Sequence, residues 1–260
     1  MSNIASFFST LYYPAIVFRT VKIYWCCTSL ISRNEEHIVS SPTLTDKVSK
    51  MIRQDILTAQ LLPGQKLVVA ELKNKYEVGA SPIREALVQL SWTKYVVLEP
   101  QKGCWVAPVC VLELTDLFDS LRLVAAGLLQ KAITIGDEMW ELNVLTSYHK
   151  LSRLKVINQE HDCDEWEERQ LQFHVALLEG ANSKNMFAFF SDLIQQIKRY
   201  RYFALTHGMD TSSEDAEEYE IIMKLVLSKN AEKAAEKYDQ YLHRTMLRIQ
   251  SVIEQQSHAA

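Results

Sequence analysis

The apolar residues between positions 44 and 109 recur with helical spacing in three short segments and then alternate in two shorter ones. A spacing of three to four residues places side chains on one face of a helix, whereas alternation is typical of a strand. The pattern therefore predicts three helices followed by a β-hairpin. The predicted helices cover residues 44–61, 69–76 and 81–93, and the predicted strands cover 95–99 and 104–107.

Polar residues and glycines mark the ends of these helices. Thr45 is the predicted N-cap of the first helix, and Ser81 followed by Pro82 is the predicted start of the third. Gly79 lies in the turn before the third helix, where glycine adopts a positive φ angle without steric cost. The buried face of the third helix is predicted to contain Ile83, Ala86, Leu87 and Leu90. Arg84 therefore points outward.

From residue 112 onward the pattern predicts only helices. The first keeps one apolar face for four turns, and five further helices follow between short breaks. Six helices with short connections describe an antiparallel bundle. The predicted segments are 112–128, 137–156, 164–178, 184–205, 212–227 and 231–253. The fold class is accordingly mainly α, with a small hairpin-containing part in front of the bundle.

Charge divides the chain at the same place. The net charge of the whole chain is −4, which by itself argues against binding to nucleic acid. Residues 41–109, however, contain nine Lys/Arg against six Asp/Glu, whereas residues 110–260 contain sixteen against twenty-four. A basic module joined to an acidic one suits a protein that meets phosphate at one end only.

The cysteines indicate the compartment. There are five, an odd number without metal-type spacing. This usage is typical of reduced thiols in a cytoplasmic protein rather than of a disulfide framework.

Residues 1–40 differ from the rest of the chain. Their apolar run from Leu11 to Phe18 ends at Arg19, far short of the roughly 20 residues that span a bilayer. We expect a poorly ordered extension. A segment lying at a membrane interface and a weak signal peptide are the alternatives.

Three helices followed by a hairpin is the order of elements in a winged helix-turn-helix. In that fold the third helix enters the major groove of DNA and the hairpin, or wing, reaches a neighbouring phosphate or the minor groove. Arg84 is then placed for a guanine edge or a phosphate. Lys73 and Lys75 are candidate phosphate contacts on the second helix, and Lys102 lies at the tip of the wing. An ordinary helical hairpin with a solvated Arg84 fits the same periodicity.

These residues carry a family resemblance. The string from Pro63 to Leu67, the segment from Val78 to Leu90 that contains Ser81 and Arg84, and the late Gly103 resemble the signature of the GntR family. Residues 41–109 then resemble its DNA-binding domain. Residues 110–260 resemble the helical FCD effector domain of the fatty-acid-regulator (FadR) branch. The resemblance implies a ligand-responsive transcriptional regulator, in most cases a repressor, with Ser81 and Gly103 among its DNA contacts.

This chain also departs from the family pattern in the DNA-binding part. Gly79 and Ala80 stand where the family usually has Ser-Arg, and Ala70 replaces a further basic position on the second helix. Arg84 is retained. The operator preference of the better-known relatives is therefore not expected to transfer.

Many FCD domains share a metal site that is made by an aspartate and three histidines. The resemblance places the first histidine at His174, the aspartate position at Gln170, and the other two histidine positions at Tyr219 and Tyr241. Gln170, Tyr219 and Tyr241 are poor zinc ligands at neutral pH, so we expect no metal cofactor. A hydrogen-bonded core histidine is the favoured interpretation of His174. The same four side chains would make a neutral cluster that binds a carboxylate or hydroxyl ligand directly.

Arginines supply the other candidates for the effector site. Arg122 occupies the family's arginine position on the first effector helix, although the usual glutamate partner is Ala126. Arg201 and, less favoured, Arg199 lie on the fourth effector helix. An arginine turned into a bundle needs an anionic partner, so a small organic acid is the expected effector.

The resemblance also implies the partners, namely a palindromic double-stranded operator bound by a homodimer, with no membrane involved. Two other classes stay open. An enzyme would need an acid–base site, for which Glu167, Glu168 and His161 are candidates, but these residues look like a solvated helix face. A helical interaction module without DNA binding is the second alternative.

Overall fold

The computed structural model describes residues 43–154, 160–209 and 213–259. Within these ranges the chain forms nine α-helices and one two-stranded antiparallel sheet. The DNA-binding candidates lie on the first five elements: α1 Leu44–Leu57, α2 Val69–Tyr76, α3 Ala80–Trp92, β1 Val96–Glu99 and β2 Gly103–Val106. The bundle contains α4 Val111–Ile135, α5 Glu138–Ser152, α6 Glu160–Glu179, α7 Lys184–Thr206, α8 Ser213–Leu227 and α9 Ala231–Ala259. The predicted fold class is confirmed, and the prediction for residues 1–40 falls outside the described residues.

Two of the predicted helix starts are wrong. Thr43, not Thr45, caps α1: its Oγ1 accepts from the Asp46 backbone N–H at 3.1 Å, and its own N–H donates to the Asp46 carboxylate at 3.0 Å. This reciprocal arrangement is a capping box, which satisfies two backbone donors at once. α3 begins at Ala80 with Gly79 as its N-cap, two residues before the predicted N-cap Ser81.

The turn between α2 and α3 is also made differently. Glu77 is the residue in the left-handed region, with φ 54° and ψ 41°, whereas Gly79 has an extended conformation with φ −67°. Ser81 is therefore inside the helix, and its hydroxyl is free to bond a side chain rather than the helix end.

Two hydrophobic clusters fill the described residues. The smaller joins α1, α2, α3 and the sheet around Val48, Ile83 and Leu90, which are fully buried. The larger is built on α4, which packs against α9, α7 and α6. One residue of the bundle, Tyr202 on α7, belongs to the smaller cluster.

The wing is a tight hairpin in which Glu99 pairs with Gly103. Gly103 has φ 139°, a conformation that L side chains rarely adopt, so glycine is required there. An isolated bridge between Lys66 and Trp105 ties the segment before α2 to the same hairpin. The base of the wing is thereby fixed to the helices that carry it.

Trp140 on α5 closes the base of the bundle. Its indole N–H donates to the Ala176 carbonyl at 2.8 Å, and its ring covers two glycines. A Cβ at Gly136 would lie 2.1 Å from the ring and 2.5 Å from the Ala132 carbonyl oxygen, and one at Gly180 would lie 2.8 Å from the ring. Both glycines are therefore needed for close packing.

Gly136→Ala is expected to destabilise the chain, because neither the ring nor the backbone carbonyl can retreat. The expected loss in free energy of unfolding is about 1–3 kcal/mol, the usual cost of overpacking a core. Urea unfolding followed by circular dichroism measures it. Gly127→Ala is the matched control, since its added Cβ would meet only the flexible end of Met186 at 3.2 Å. Equal stability of the two variants would contradict this account of Trp140.

Candidate functional site

The exposed face of α3 carries the first group of candidate residues. Arg84 is exposed, and among the described residues it has no hydrogen bond or ion pair. Ser81 is exposed one turn earlier, and its hydroxyl donates to Glu85 at 3.0 Å. Glu85 also accepts from Thr45 of α1 at 2.9 Å, so the start of α3 is fixed to α1. This arrangement presents a free guanidinium on a helix whose orientation is set by its neighbours.

The lysine candidates differ in their availability. Lys73 is exposed, whereas the Nζ of Lys75 lies 2.7 Å from Asp55 on α1. Lys102 is exposed at the wing, and its Nζ lies 3.0 Å from Glu99. Gly103 follows it in the turn. Such surface ion pairs are weak and exchange readily for phosphate, so Lys102 stays available to DNA.

The second group of candidates lines a cavity inside the bundle. The cavity has a volume of about 40 Å³ and is partly open to solvent. Its walls come from α4, α6, α7 and α9. The polar residues of its lining are Glu167, Gln170, His174, Lys198, Arg201, Tyr238, Tyr241 and Thr245.

A buried hydrogen-bonded cluster forms the polar end of this cavity. The Gln170 amide N–H groups donate to the hydroxyl oxygens of Tyr219 and Tyr241, the latter at 2.6 Å, and its carbonyl accepts from Arg201. The two tyrosine hydroxyls also bond each other at 2.8 Å, which uses one hydroxyl proton. The second hydroxyl proton has no acceptor among these three side chains. Tyr241 also has a side-chain hydrogen bond with Thr245, which extends the cluster along α9.

His174 is neutral in this setting. Burial, together with the nearby positive charge of Arg201, lowers the pKa of His174 to about 3. Its Nδ1 lies 2.9 Å from the Tyr238 hydroxyl. In the tautomer in which Nδ1 accepts the tyrosine proton, Nε2 carries the ring proton and is a further donor. His174 is thus a hydrogen-bonded core histidine.

Arg201 is the cation of the cavity, and its partner is Glu167. The Arg201 Nε donates to Glu167 Oε1 at 2.8 Å, with side chains only 11% and 7% exposed. Burial alone would lower the pKa of Arg201, but the Glu167 carboxylate and the two tyrosines raise it above its ordinary value. The guanidinium carbon lies 5.2 Å from the centre of the Trp166 ring.

Glu167 is the residue that sequence reasoning missed. The prediction that it belongs to a solvated helix face is wrong, because its side chain is buried against Arg201. Its neighbour Glu168 is exposed, as that interpretation requires. No local pattern in the sequence indicates that Glu167 faces the interior while Glu168 faces solvent.

The other two arginine candidates lie elsewhere. The prediction that Arg122 faces the cavity is wrong: its Nε and its NH2 nitrogen donate to the two oxygens of Asp239 on α9, at 2.6 and 2.7 Å. Arg199 is only 4% exposed and donates to the carbonyls of Ala107 (2.8 Å) and Pro108, and to Glu113 (3.2 Å). Arg199 therefore holds the segment that joins the wing to the bundle.

A divalent metal does not fit the residues at the expected family position. The amide N–H groups and the carbonyl of Gln170 are all hydrogen-bonded to neighbouring side chains. Burial raises the pKa values of Tyr219 and Tyr241, so their hydroxyl groups stay protonated. In the part of the chain that the structure describes, no group of three His, Cys, Asp or Glu side chains is placed to hold a metal ion. Within those same ranges, no helix is both long and apolar enough to cross a membrane.

Two family models match this chain, one over each group of candidate residues. Residues 44–106 match the family of bacterial regulatory proteins described as the gntR family, and residues 118–244 match the FCD domain. The first range contains α3 and the wing, and the second contains most of the cavity lining. The DNA-binding candidates and the effector candidates thus fall in different family domains.

Curated proteins with similar sequences are regulators. The HTH-type transcriptional repressor GlaR of Escherichia coli K12 is 30% identical over 197 residues, which cover 74% of this chain and 90% of GlaR. The uncharacterized HTH-type transcriptional regulator BphR of Paraburkholderia xenovorans LB400 is 29% identical over 202 residues, 76% of this chain and 82% of BphR.

Solved structures share the fold. E. coli McbR/YncC superposes with a TM-score of 0.61 at 15% identity, over 80% of this chain and 98% of McbR/YncC. A GntR family member from Pseudomonas syringae pv. tomato DC3000 gives 0.52 at 21% identity, over 83% of this chain and 88% of that one. With an exposed recognition helix, a wing and a helical effector domain in this order, the chain belongs to the GntR family of transcriptional regulators and carries an FCD domain.

Proposed function

We propose that this regulator represses transcription and that a small organic acid, bound in the bundle cavity, controls its affinity for DNA. The observation that carries the proposal is the imbalance of hydrogen-bonding groups at the polar end of the cavity. Arg201 and Lys198 are cationic donors, whereas Glu167 is the single carboxylate among the described lining residues. A carboxylate ligand supplies the acceptors that this surface lacks.

The side chains of the cavity bind the acid directly, rather than through a metal ion as the family resemblance implies. A neutral cluster of Gln170, Tyr219 and Tyr241 cannot hold a divalent cation, but it is suited to orient a carboxylate next to Arg201. The apolar side of the lining, which includes Phe118, Leu121 and Ile197, is suited to contact the carbon atoms of a small acid. These features support an organic acid of a few carbon atoms.

Repression is proposed from the relatives and from the free face of α3. GlaR is named an HTH-type transcriptional repressor, and residues 44–106, which match the gntR family, contain α3 with its exposed face and the wing. We further propose that two copies bind a palindromic operator, with two α3 helices in successive major grooves. By thermodynamic linkage, the acid and the operator then change each other's affinity by the same factor.

The surface where α4 meets α7 supports the homodimer. Gly127 on α4 lies against Met186 on α7. Leu123, four residues before Gly127, and Phe189, three residues after Met186, are 79% and 65% exposed. Large apolar side chains exposed together mark an interaction surface. A two-fold interface would bury this patch against its own copy.

Arg84→Ala is expected to lower affinity for the operator by about ten- to a hundredfold, because one bidentate contact to a base edge is lost. Affinity for unrelated DNA should change little. Gel-shift titration of the DNA immediately upstream of the chain's own gene, at two salt concentrations, measures both. Arg153→Ala, which removes an equally exposed arginine from the end of α5, is the control. Full operator affinity in the Arg84 variant would refute its role.

Arg201→Gln is expected to abolish carboxylate binding, whereas Arg122→Gln should leave it within about threefold, since Arg122 does not line the cavity. Calorimetry with succinate, gluconate and glutamate, each beside an uncharged analogue, provides the measurement. Because Arg201→Gln alone leaves Glu167 buried without a cation, the double variant with Glu167→Gln serves as a folded reference. Binding of only the uncharged analogues would contradict an acidic effector.

Phe189→Glu combined with Leu123→Glu is expected to convert a dimer into a monomer, because two charges would be buried at the proposed interface. Light scattering after size-exclusion chromatography reports the mass. Leu142→Glu, a charge on the exposed face of α5 at 55% exposure, should leave the dimer intact. A wild-type chain that runs as a monomer at micromolar concentration argues against the dimer altogether.

A further inference from the structure

The imidazole ring of His174 has one nitrogen in use and one without a partner. Nδ1 lies 2.9 Å from the Tyr238 hydroxyl, whereas Nε2 makes no hydrogen bond to any described residue. Among the described side chains, the polar atoms that are fully enclosed without a partner are the Nε atoms of Arg53, Arg199 and Arg248 and the hydroxyl of Tyr95. His174 Nε2 is not one of them, and His174, at 6% exposure, lines the bundle cavity. Its Nε2 therefore faces the cavity.

Tyr238 determines which ring nitrogen carries the proton. Its side chain is buried, and among the described residues His174 Nδ1 is the hydroxyl's one hydrogen-bond partner. Buried hydroxyl groups rarely leave their proton unpaired, so this hydroxyl donates to Nδ1. His174 is neutral, and a neutral imidazole carries a single proton, which is then on Nε2. The cavity thus contains an N–H donor without an acceptor.

Arg201 keeps N–H groups for a ligand while it is bonded to its protein partners. Its Nε donates to Glu167, and its NH2 nitrogen donates to the Gln170 carbonyl. The NH1 nitrogen has no hydrogen-bond partner among the described residues and is not fully enclosed. The free end of a guanidinium fork can hold both oxygens of one carboxylate. A ligand carboxylate can therefore bind Arg201 while Glu167 stays in place.

The two free donors line the same cavity, His174 from α6 and Arg201 from α7. If the Arg201 fork holds both oxygens of a carboxylate, the His174 N–H needs an acceptor from another part of the ligand. This acceptor should be an uncharged oxygen, because a second anionic group would be buried against an uncharged ring. A carbonyl oxygen meets this requirement, since it accepts hydrogen bonds and brings no donor of its own.

We propose that the Nε2–H of His174 is a second recognition donor for the effector, and that Tyr238 is the positioning residue that keeps the proton on this nitrogen. The effector is then a short carboxylic acid with a carbonyl oxygen on its carbon chain, which binds Arg201 through the carboxylate and His174 through the carbonyl. An acid of equal charge and length without the carbonyl leaves the buried N–H unpaired and is disfavoured. This inference rests on the proposed function, namely that carboxylates bind at Arg201.

The first test compares butyrate with 2-oxobutyrate and 3-oxobutyrate, which have the same charge and chain length. In calorimetry with the full chain, at least one oxo acid should bind about three- to tenfold more tightly than butyrate, the size of one uncharged hydrogen bond. The double variant His174→Phe with Tyr238→Phe should bind butyrate but lose this preference. Changing both residues together leaves neither polar group buried alone. Tyr148→Phe, which removes a hydroxyl outside the cavity lining, is the control and should keep the preference.

Nitrogen-15 NMR of the imidazole rings tests the role of Tyr238. The His174 signals, which are those missing from the double variant, should show a protonated Nε2 and an unprotonated Nδ1 in the ligand-free wild type. Tyr238→Phe alone should give a mixture of both tautomers. It should weaken oxo-acid binding about twofold or more, in proportion to the population of the wrong tautomer, and leave butyrate binding unchanged. A residue that only supported the fold would affect all three acids alike.

The outcomes distinguish this inference from the function on which it rests. Equal affinity of the wild type for all three acids, or a proton on Nδ1 of His174, overturns the inference and leaves carboxylate binding at Arg201 standing. A preference for an oxo acid that survives in the double variant also overturns it. If none of the three acids binds, the inference is wrong, and the proposed function is wrong as well if succinate, gluconate and glutamate also fail. If Tyr238→Phe does not fold, the wild-type spectrum and the double variant decide.

Discussion

A guanidinium can be buried only if acceptors surround its N–H groups, because its charge cannot be removed at any physiological pH. α7 buries two of them, Arg199 and Arg201, which are two residues apart and therefore point in directions about 200° apart on the helix. Arg199 finds backbone carbonyls at the end of the wing, and Arg201 finds Glu167 and Gln170 in the cavity. The hydrogen bonds of these two arginines therefore fix the position of α7 on two of its sides.

This double fixation explains why the two family domains meet in the way they do. The carbonyls of Ala107 and Pro108 belong to the short segment between β2 and α4, and Glu113 belongs to the first turn of α4. Arg199 thus binds the connection itself, while Tyr202 joins the hydrophobic cluster of the DNA-binding helices. A rotation or shift of α7 would have to break hydrogen bonds in both places. Coupling between the sites needs this kind of continuous contact.

The cavity shows how a family site changes chemistry without changing place. Four side chains at the expected metal position still converge, but three of them are neutral hydrogen-bonding groups and His174 stays uncharged through burial. The nearest cation is Arg201, which donates to the Gln170 carbonyl. This is the location at which we propose direct contact with an organic anion.

The sequence by itself determined the elements and the convergence of Gln170, His174, Tyr219 and Tyr241, because periodicity reports which face of a helix is buried and a family register reports which faces meet. Only the tertiary structure decided the ionic partners. Arg122 pairs with Asp239, 117 residues away, and Arg201 pairs with Glu167 across two helices. Nothing local distinguishes Glu167 from exposed Glu168. Successive side chains of a helix point about 100° apart, so Glu167 and Glu168 face different directions. The packing of the helices decides which of them is exposed and which lies beside a buried arginine.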